Sequence, residues 1–189
     1  MSIRSTVILL NGVGSVGKSS LARALQNRLA TPFLHVQMDS WIGMLPEDLQ
    51  DDPSTFAFVA GTAAGMPSVA IHPGPRGERL MSGFRASVAA MADAGNDLIV
   101  DDVMLSPSEA QDYRRRLAAH DLRLVGLHAP VTVLEQRERL RGDRMPGLAR
   151  WQFDRVHRGQ RYDLDLHTEQ ATPEQCAEAI ILAFGLEHR

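Results

Sequence analysis

Five short apolar runs recur along the chain, with helical periodicity between them. The first, TVILLN at 6–11, is continuously apolar, the pattern of a central strand covered on both faces. Residues 18–29 then place Leu21, Ala22, Leu25 and Leu29 at helical spacing. FLHVQMD at 33–39 predicts a second strand, beside the first and closing on Asp39, followed by a short helix broken near Pro46. Residues 51–77 are rich in Gly, Pro, Ala and Ser and predict an irregular insertion near a pocket. A helical pattern returns over 78–94 and stops at Gly95-Asn96. DLIVDDV at 97–103 predicts a buried strand ending in two acids. Ser106, Pro107 and Glu109 form a capping box that opens the next helix. A strand is predicted at 122–129, and helices at 131–141 and 148–158 flank an interruption, RGDRMPG. YDLDLHT at 162–168 alternates like a strand nearer the sheet edge, and Thr172, Pro173 and Gln175 cap the last helix.

Strands alternating with helices predict an α/β fold, a parallel five-stranded sheet with helices on both faces. The 189 residues fit one domain, 1–189, without repeats or a linker. Ligands of such sheets gather at the carboxyl ends of the strands, so the residues that follow each apolar run are the ones to read for chemistry.

Gly12 to Ser19 fits G-x-x-x-x-G-K-[ST] between a predicted strand and a predicted helix, the context this phosphate-binding loop requires. Its glycines let successive N–H groups converge on an anion, and the helix directs its positive end at the same spot. The expected cradle is Gly12, Ser15, Val16, Gly17, Lys18, Ser19 and Ser20. Lys18 reaches toward β- and γ-phosphates, and the Ser19 hydroxyl toward Mg²⁺. The expected ligand is a nucleoside triphosphate.

Asp39 is expected near the γ-phosphate, as the acceptor of a hydroxyl proton or as an N-cap for a helix beginning at Ser40. Asp101 and Asp102 stand where a metal-binding acid is expected. Asp101 is favoured for Mg²⁺, and Asp102 shares the metal or faces the acceptor. Arg137, Arg141 and Arg144 fall on one face if their helix continues, and Gly142 and Pro146 make 137–147 look like a hinged lid. Such a lid would bring Arg141 and Arg144 to the transferring group, with Arg137 at the nucleotide. A solvated face paired with Glu135 and Glu138 is the alternative. Trp41, Met44, Phe56, Phe58 and Met66 are candidates for an apolar acceptor wall or for core.

Composition narrows the partners. A net charge of −3 provides no field for nucleic acid. The single cysteine, Cys176, excludes an intrachain disulfide and reads as inert packing. No run approaches the ~20 apolar residues of a membrane helix, and no signal peptide is legible. A cytoplasmic protein acting on a small-molecule hydroxyl acceptor, with neither nucleic acid nor membrane as partner, is the expectation.

The chain resembles the chloramphenicol phosphotransferase family of small P-loop kinases. The likeness lies in ILLNGVGSVGKSSLARALQ, VQMDSWIGMLP, GNDLIVDDVM, RERLRGDRMPGLARWQ and VHRGQRYDLDLHT. It implies the P-loop kinase fold, ATP as phosphate donor and transfer to a small alcohol. It also implies Asp39 as the base, and Arg141 and Arg144 near the triphosphate. Residues 51–76 look least like the family, and acceptor pockets sit in such loops. The resemblance makes chloramphenicol or a related antibiotic the first expected acceptor, and that stretch leaves the acceptor open. The alternatives are a nucleoside or metabolite kinase, and a nucleotide-dependent binding module without transfer.

Overall fold

The computed structural model describes residues 4–142 and 145–189. The predicted alternation takes shape as seven strands and seven α-helices among those residues. The first half runs β1 (Thr6–Gly12), α1 (Lys18–Arg28), β2 (Phe33–Gln37), α2 (Met38–Ile42), β3 (Phe56–Ala63), β4 (Met66–Pro73) and α3 (Pro75–Asp93). The second half runs β5 (Asp97–Asp102), α4 (Pro107–Arg116), β6 (Asp121–His128), α5 (Val131–Arg141), α6 (Leu148–Val156), β7 (Leu164–His167) and α7 (Pro173–Phe184).

Five strands form one sheet in the order β2-β5-β1-β6-β7, and every pairing in it is parallel. The continuous apolar character of β1 follows from its central place. Ile8 and Leu10 pack with Leu21 and Leu25 of α1 and with Ala177 and Ile180 of α7. Val7 and Leu9 face the other way, onto Phe84 and Val88 of α3 and Tyr113 of α4. Both capping boxes form: Glu109 accepts from the Ser106 N–H at 2.9 Å, and Thr172 and Gln175 exchange bonds of 2.8 and 3.2 Å.

Four expectations need correction. The strand predicted to end on Asp39 stops at Gln37, and Asp39 is the second residue of α2. The cap of that helix is Gln37, so Asp39 is not an N-cap. Nor does β2 lie beside β1: the connection through α1 skips one position, and β5 fills it. The stretch expected to be irregular contains an antiparallel hairpin, β3–β4, pairing Phe56 with Pro73 at its base and Ala63 with Met66 at its tip. Ala64 and Gly65 make the turn with φ of 51° and 76°, the positive angles that a tight two-residue hairpin turn demands.

That hairpin is docked through its return strand. The Val69 N–H donates to the Gly147 carbonyl at 3.1 Å. Gly147, with φ of 100°, lies so close to Pro67 that a Cβ would meet its carbonyl oxygen at 2.6 Å. The hairpin therefore braces the start of α6, the helix that follows the interruption.

Candidate active site

The turn between β1 and α1 has the backbone a phosphate loop needs. Ser15 and Gly17 take positive φ, 66° and 107°, the kind of backbone turn from which anion-binding concavities are built. Gly12 permits close packing: a Cβ there would stand 2.8 Å from the Leu127 carbonyl oxygen and 2.8 Å from a Val16 methyl. Lys18 folds its Nζ over the loop, donating to the carbonyls of Gly12 at 2.8 Å and Val13 at 3.2 Å.

A cleft of about 500 Å³ opens over this loop. Ser15, Val16, Gly17, Lys18, Ser19 and Ser20 of the loop and α1 line it together with Asp39 and Asp101. Arg137, Arg141, Thr168 and Pro173 from the second half of the chain line it as well. Gly12 lies beneath the loop and supports it through its carbonyl rather than facing the cleft.

The doubled acid of β5 divides by the alternation of the strand. Asp101 enters the cleft, where its Oδ2 accepts the Ser19 hydroxyl at 2.7 Å and its Oδ1 lies 3.9 Å from Lys18 Nζ. Burial pushes its carboxyl up, but neighbouring His35, Lys18 and Ser19 outweigh burial and hold it below its ordinary value. Asp102 points to the other face and is no partner of Ser19. Its carboxylate accepts the Tyr113 hydroxyl and the Val103 N–H, both at 2.7 Å. Burial raises its carboxyl, and those donors offset this only in part. Asp102 thus pins the β5–α4 turn, and Asp101 is the acid that shares the cleft with Ser19. A hydroxyl and a carboxylate are hard oxygen donors of the kind Mg²⁺ prefers, and a glycine-containing loop at the N-terminus of α1 fits a polyphosphate. These residues fit both groups.

The arginines divide as well. Gly142 adopts the left-handed conformation with φ of 69° and ends α5. Arg137 and Arg141 share that helix, and Arg144 lies outside the described residues. Arg137 is a tether: it donates to the Val16 carbonyl at 3.2 Å, and to the Thr168 hydroxyl and carbonyl at 3.0 and 2.9 Å. Glu135 pairs with Arg150 at 2.6 Å, and buried Glu138 accepts the N–H groups of Gly147 and Ala149, both at 2.8 Å. Glu138 thereby caps the start of α6 from α5.

The proposed apolar wall does not assemble in this cleft. Trp41 packs on Phe84 and donates to the Leu80 carbonyl at 3.2 Å. Phe56 is buried at the hairpin base, and Met44 and Met66 face solvent. None of the five lines the cleft; the residues nearest Asp39 there are Gln37 and Met38. Cys176 is buried at the edge of the cleft, and burial pushes its thiol up.

Sequence reasoning missed Gln152 of α6, whose buried Oε1 accepts the Gly14 N–H at 2.8 Å. No local pattern marks a contact 138 residues away. Thr168 was within reach of the strand-end rule, since it directly follows β7. Three histidines with no ligand spacing also come together: His128 stacks on His157 and His167 with ring centroids 4.0 and 5.4 Å apart. Among the described residues no helix is long and apolar enough to cross a membrane.

Comparison with known proteins places this geometry among phosphotransferases. A family model described as chloramphenicol phosphotransferase-like protein matches residues 5–184. Two Mycobacterium tuberculosis proteins, from strains H37Rv and CDC 1551, have names that give them a provisional O-phosphotransferase activity. Each is 33% identical over 172 residues, spanning 88% of this chain and 76% of the relative. The M. tuberculosis APS kinase CysC, in complex with AMPPNP and APS, has a TM-score of 0.68 at 16% identity, covering 96% of this chain and 98% of that one. A Sinorhizobium meliloti gluconokinase has a TM-score of 0.62 at 18% identity, covering 98% and 97%. The tunicamycin resistance protein of Deinococcus radiodurans has a TM-score of 0.63 at 16% identity, covering 97% and 98%. At these identities the three structures show a shared P-loop kinase fold.

Proposed function

The chain belongs to the chloramphenicol phosphotransferase-like family, and from that premise we propose that it transfers the γ-phosphate of ATP to a hydroxyl of a small molecule. Chloramphenicol is the first acceptor to test. The observation that carries this reading is the shared cleft, in which Lys18 and Ser19 meet Asp101 and which Asp39 also lines.

The loop amides and Lys18 would hold the β- and γ-phosphates, and Ser19 and Asp101 would hold Mg²⁺. Bound there, Mg²⁺ neutralises charge on the phosphate oxygens. Asp39 takes the proton of the acceptor hydroxyl as that oxygen bonds to phosphorus and the bond to ADP breaks. Arg141, which also lines the cleft, adds positive charge where charge develops on the transferring group. A small-molecule acceptor also suits a net charge of −3, which attracts no nucleic acid.

A polar metabolite is the second acceptor class. The apolar residues that argued against it lie outside the cleft, and Gln37 stands near Asp39 instead.

The test is a product-mass assay with MgATP and a panel of chloramphenicol, other hydroxyl-bearing antibiotics, sugars and nucleosides. A phosphate gained by chloramphenicol, reduced about 10²–10⁴-fold in Asp39→Asn and lost in Lys18→Ala, is the expected result. Phosphate on a sugar or nucleoside alone keeps the mechanism and replaces the acceptor. Tight ATP binding with no product from any acceptor refutes transfer and leaves a nucleotide-binding module.

A further inference from the structure

His35 lies on β2, in register with Ile99 of β5 and two residues short of the level of Asp101. Its ring is nearly buried, with the side chain 11% exposed, and Nε2 faces Asp101 Oδ2 at 3.6 Å. That nitrogen is buried and has no hydrogen-bond partner, a condition that calls for a reason in a folded protein. The oxygen it faces is the one that accepts the Ser19 hydroxyl. No sequence pattern singles out His35, and the mechanism above does not use it.

We propose that His35 is a positioning residue of the cation site: on cation binding its Nε2–H closes the 3.6 Å gap to Asp101 Oδ2 and holds the carboxylate in the orientation that presents Asp101 and Ser19 together to a divalent cation. The proposal rests on the reading of Ser19 and Asp101 as cation ligands. A carboxylate turns about its Cβ–Cγ bond unless its oxygens are held, and partners behind the ligands fix that angle. Oδ1 is directed toward Lys18, 3.9 Å away. Among the described residues Ser19 is the side chain that hydrogen-bonds Oδ2, and it is the group that must itself turn a lone pair to the cation. The ring would supply a second donor from β2 of the sheet.

The test is calorimetric titration of the full chain with a non-hydrolysable ATP analogue, in Mg²⁺ and in EDTA, for the wild type and for His35→Ala, His35→Phe and His35→Gln. The gain in affinity on adding Mg²⁺ is the readout, because a merely structural role would change both conditions alike. The expected result is unchanged binding in EDTA and an Mg²⁺ gain reduced about tenfold in the Ala and Phe variants. The Gln variant, which returns a donor, recovers most of the gain. Direct Mn²⁺ titration by electron paramagnetic resonance should show the same order. Equal Mg²⁺ gains in wild type, Phe and Gln variants overturn the proposal, even if the Ala variant fails to fold. A wild type whose affinity is indifferent to Mg²⁺ overturns the cation reading of Ser19 and Asp101 itself, and the role of His35 falls with it.

Discussion

Replacing Gln152 by Met isolates a single hydrogen bond that joins α6 to the phosphate loop. The side chain is buried, and its Oε1 accepts the Gly14 N–H at 2.8 Å in a buried setting. Met has nearly the same length and volume, so packing changes little. What is lost is the acceptor, and a buried amide left without one costs about 1–3 kcal/mol. In a chain of this size each kcal/mol lowers the melting temperature by roughly 2–4 °C, so a drop of about 2–12 °C is expected. The cost falls on the loop that must hold its shape around phosphate. If about 1.4 kcal/mol of it is expressed there, nucleotide affinity falls about tenfold. Thermal unfolding and nucleotide titration measure the two parts separately. A Gln152→Met protein with wild-type melting temperature and wild-type affinity would refute the claim that α6 holds the loop.

Gly12→Ala places a methyl 2.8 Å from the Leu127 carbonyl oxygen and from a Val16 methyl. A loss of about 1–3 kcal/mol and weakened nucleotide binding are expected, read by denaturant unfolding and titration. Asp101→Asn should reduce the Mg²⁺ dependence of nucleotide binding, whereas Asp102→Asn should lower the melting temperature and leave that dependence intact; the reverse pattern would exchange the two acids. His157 is held down to about 4, first by burial and then by the charge of His128. The unfolded ring, near 6.5, takes up a proton between pH 6.5 and 4 that the folded ring refuses, so stability falls as pH drops through that window. His157→Gln removes this contribution, and its melting temperature should fall less steeply than the wild type's over the same range.

The sequence was most informative where local rules and burial agree. The continuous apolar runs of β1 and β5 sit mid-sheet with helices on both sides. The capping boxes at Ser106 and Thr172 mark helix starts because their partners are three residues away. The hairpin was missed for the opposite reason. FAFVAGTA and MPSVAIHP are rich in Ala, Gly and Pro, poor strand formers, and their pairing is held partly by contact with Gly147, far along the chain. Sheet order was equally nonlocal: nothing near β2 states that β5 will come between it and β1.

The site divides along the same line, and this bears on how the acceptor is chosen. The residues legible in sequence, from Gly12 to Ser19 with Asp101, would handle phosphate and cation under the proposed function, a task that uses backbone and fixed charge. The contacts that sequence reasoning did not see bind the elements together. Gln152 ties α6 to the loop, Glu138 ties α5 to α6, and Gly147 ties α6 to β4. A continuous set of hydrogen bonds therefore runs from the hairpin to the phosphate cradle. Substitutions in β3–β4 act on a part joined to the cradle, so a hairpin variant should change the constants for nucleotide along with those for the acceptor. A Gly147→Ala protein is the sharpest case, because its Cβ would meet the Pro67 carbonyl oxygen at 2.6 Å and push hairpin and helix apart. If its nucleotide affinity stays at the wild-type value while the hairpin loosens, the two halves of the site are independent and the connection through α6 is only scaffolding.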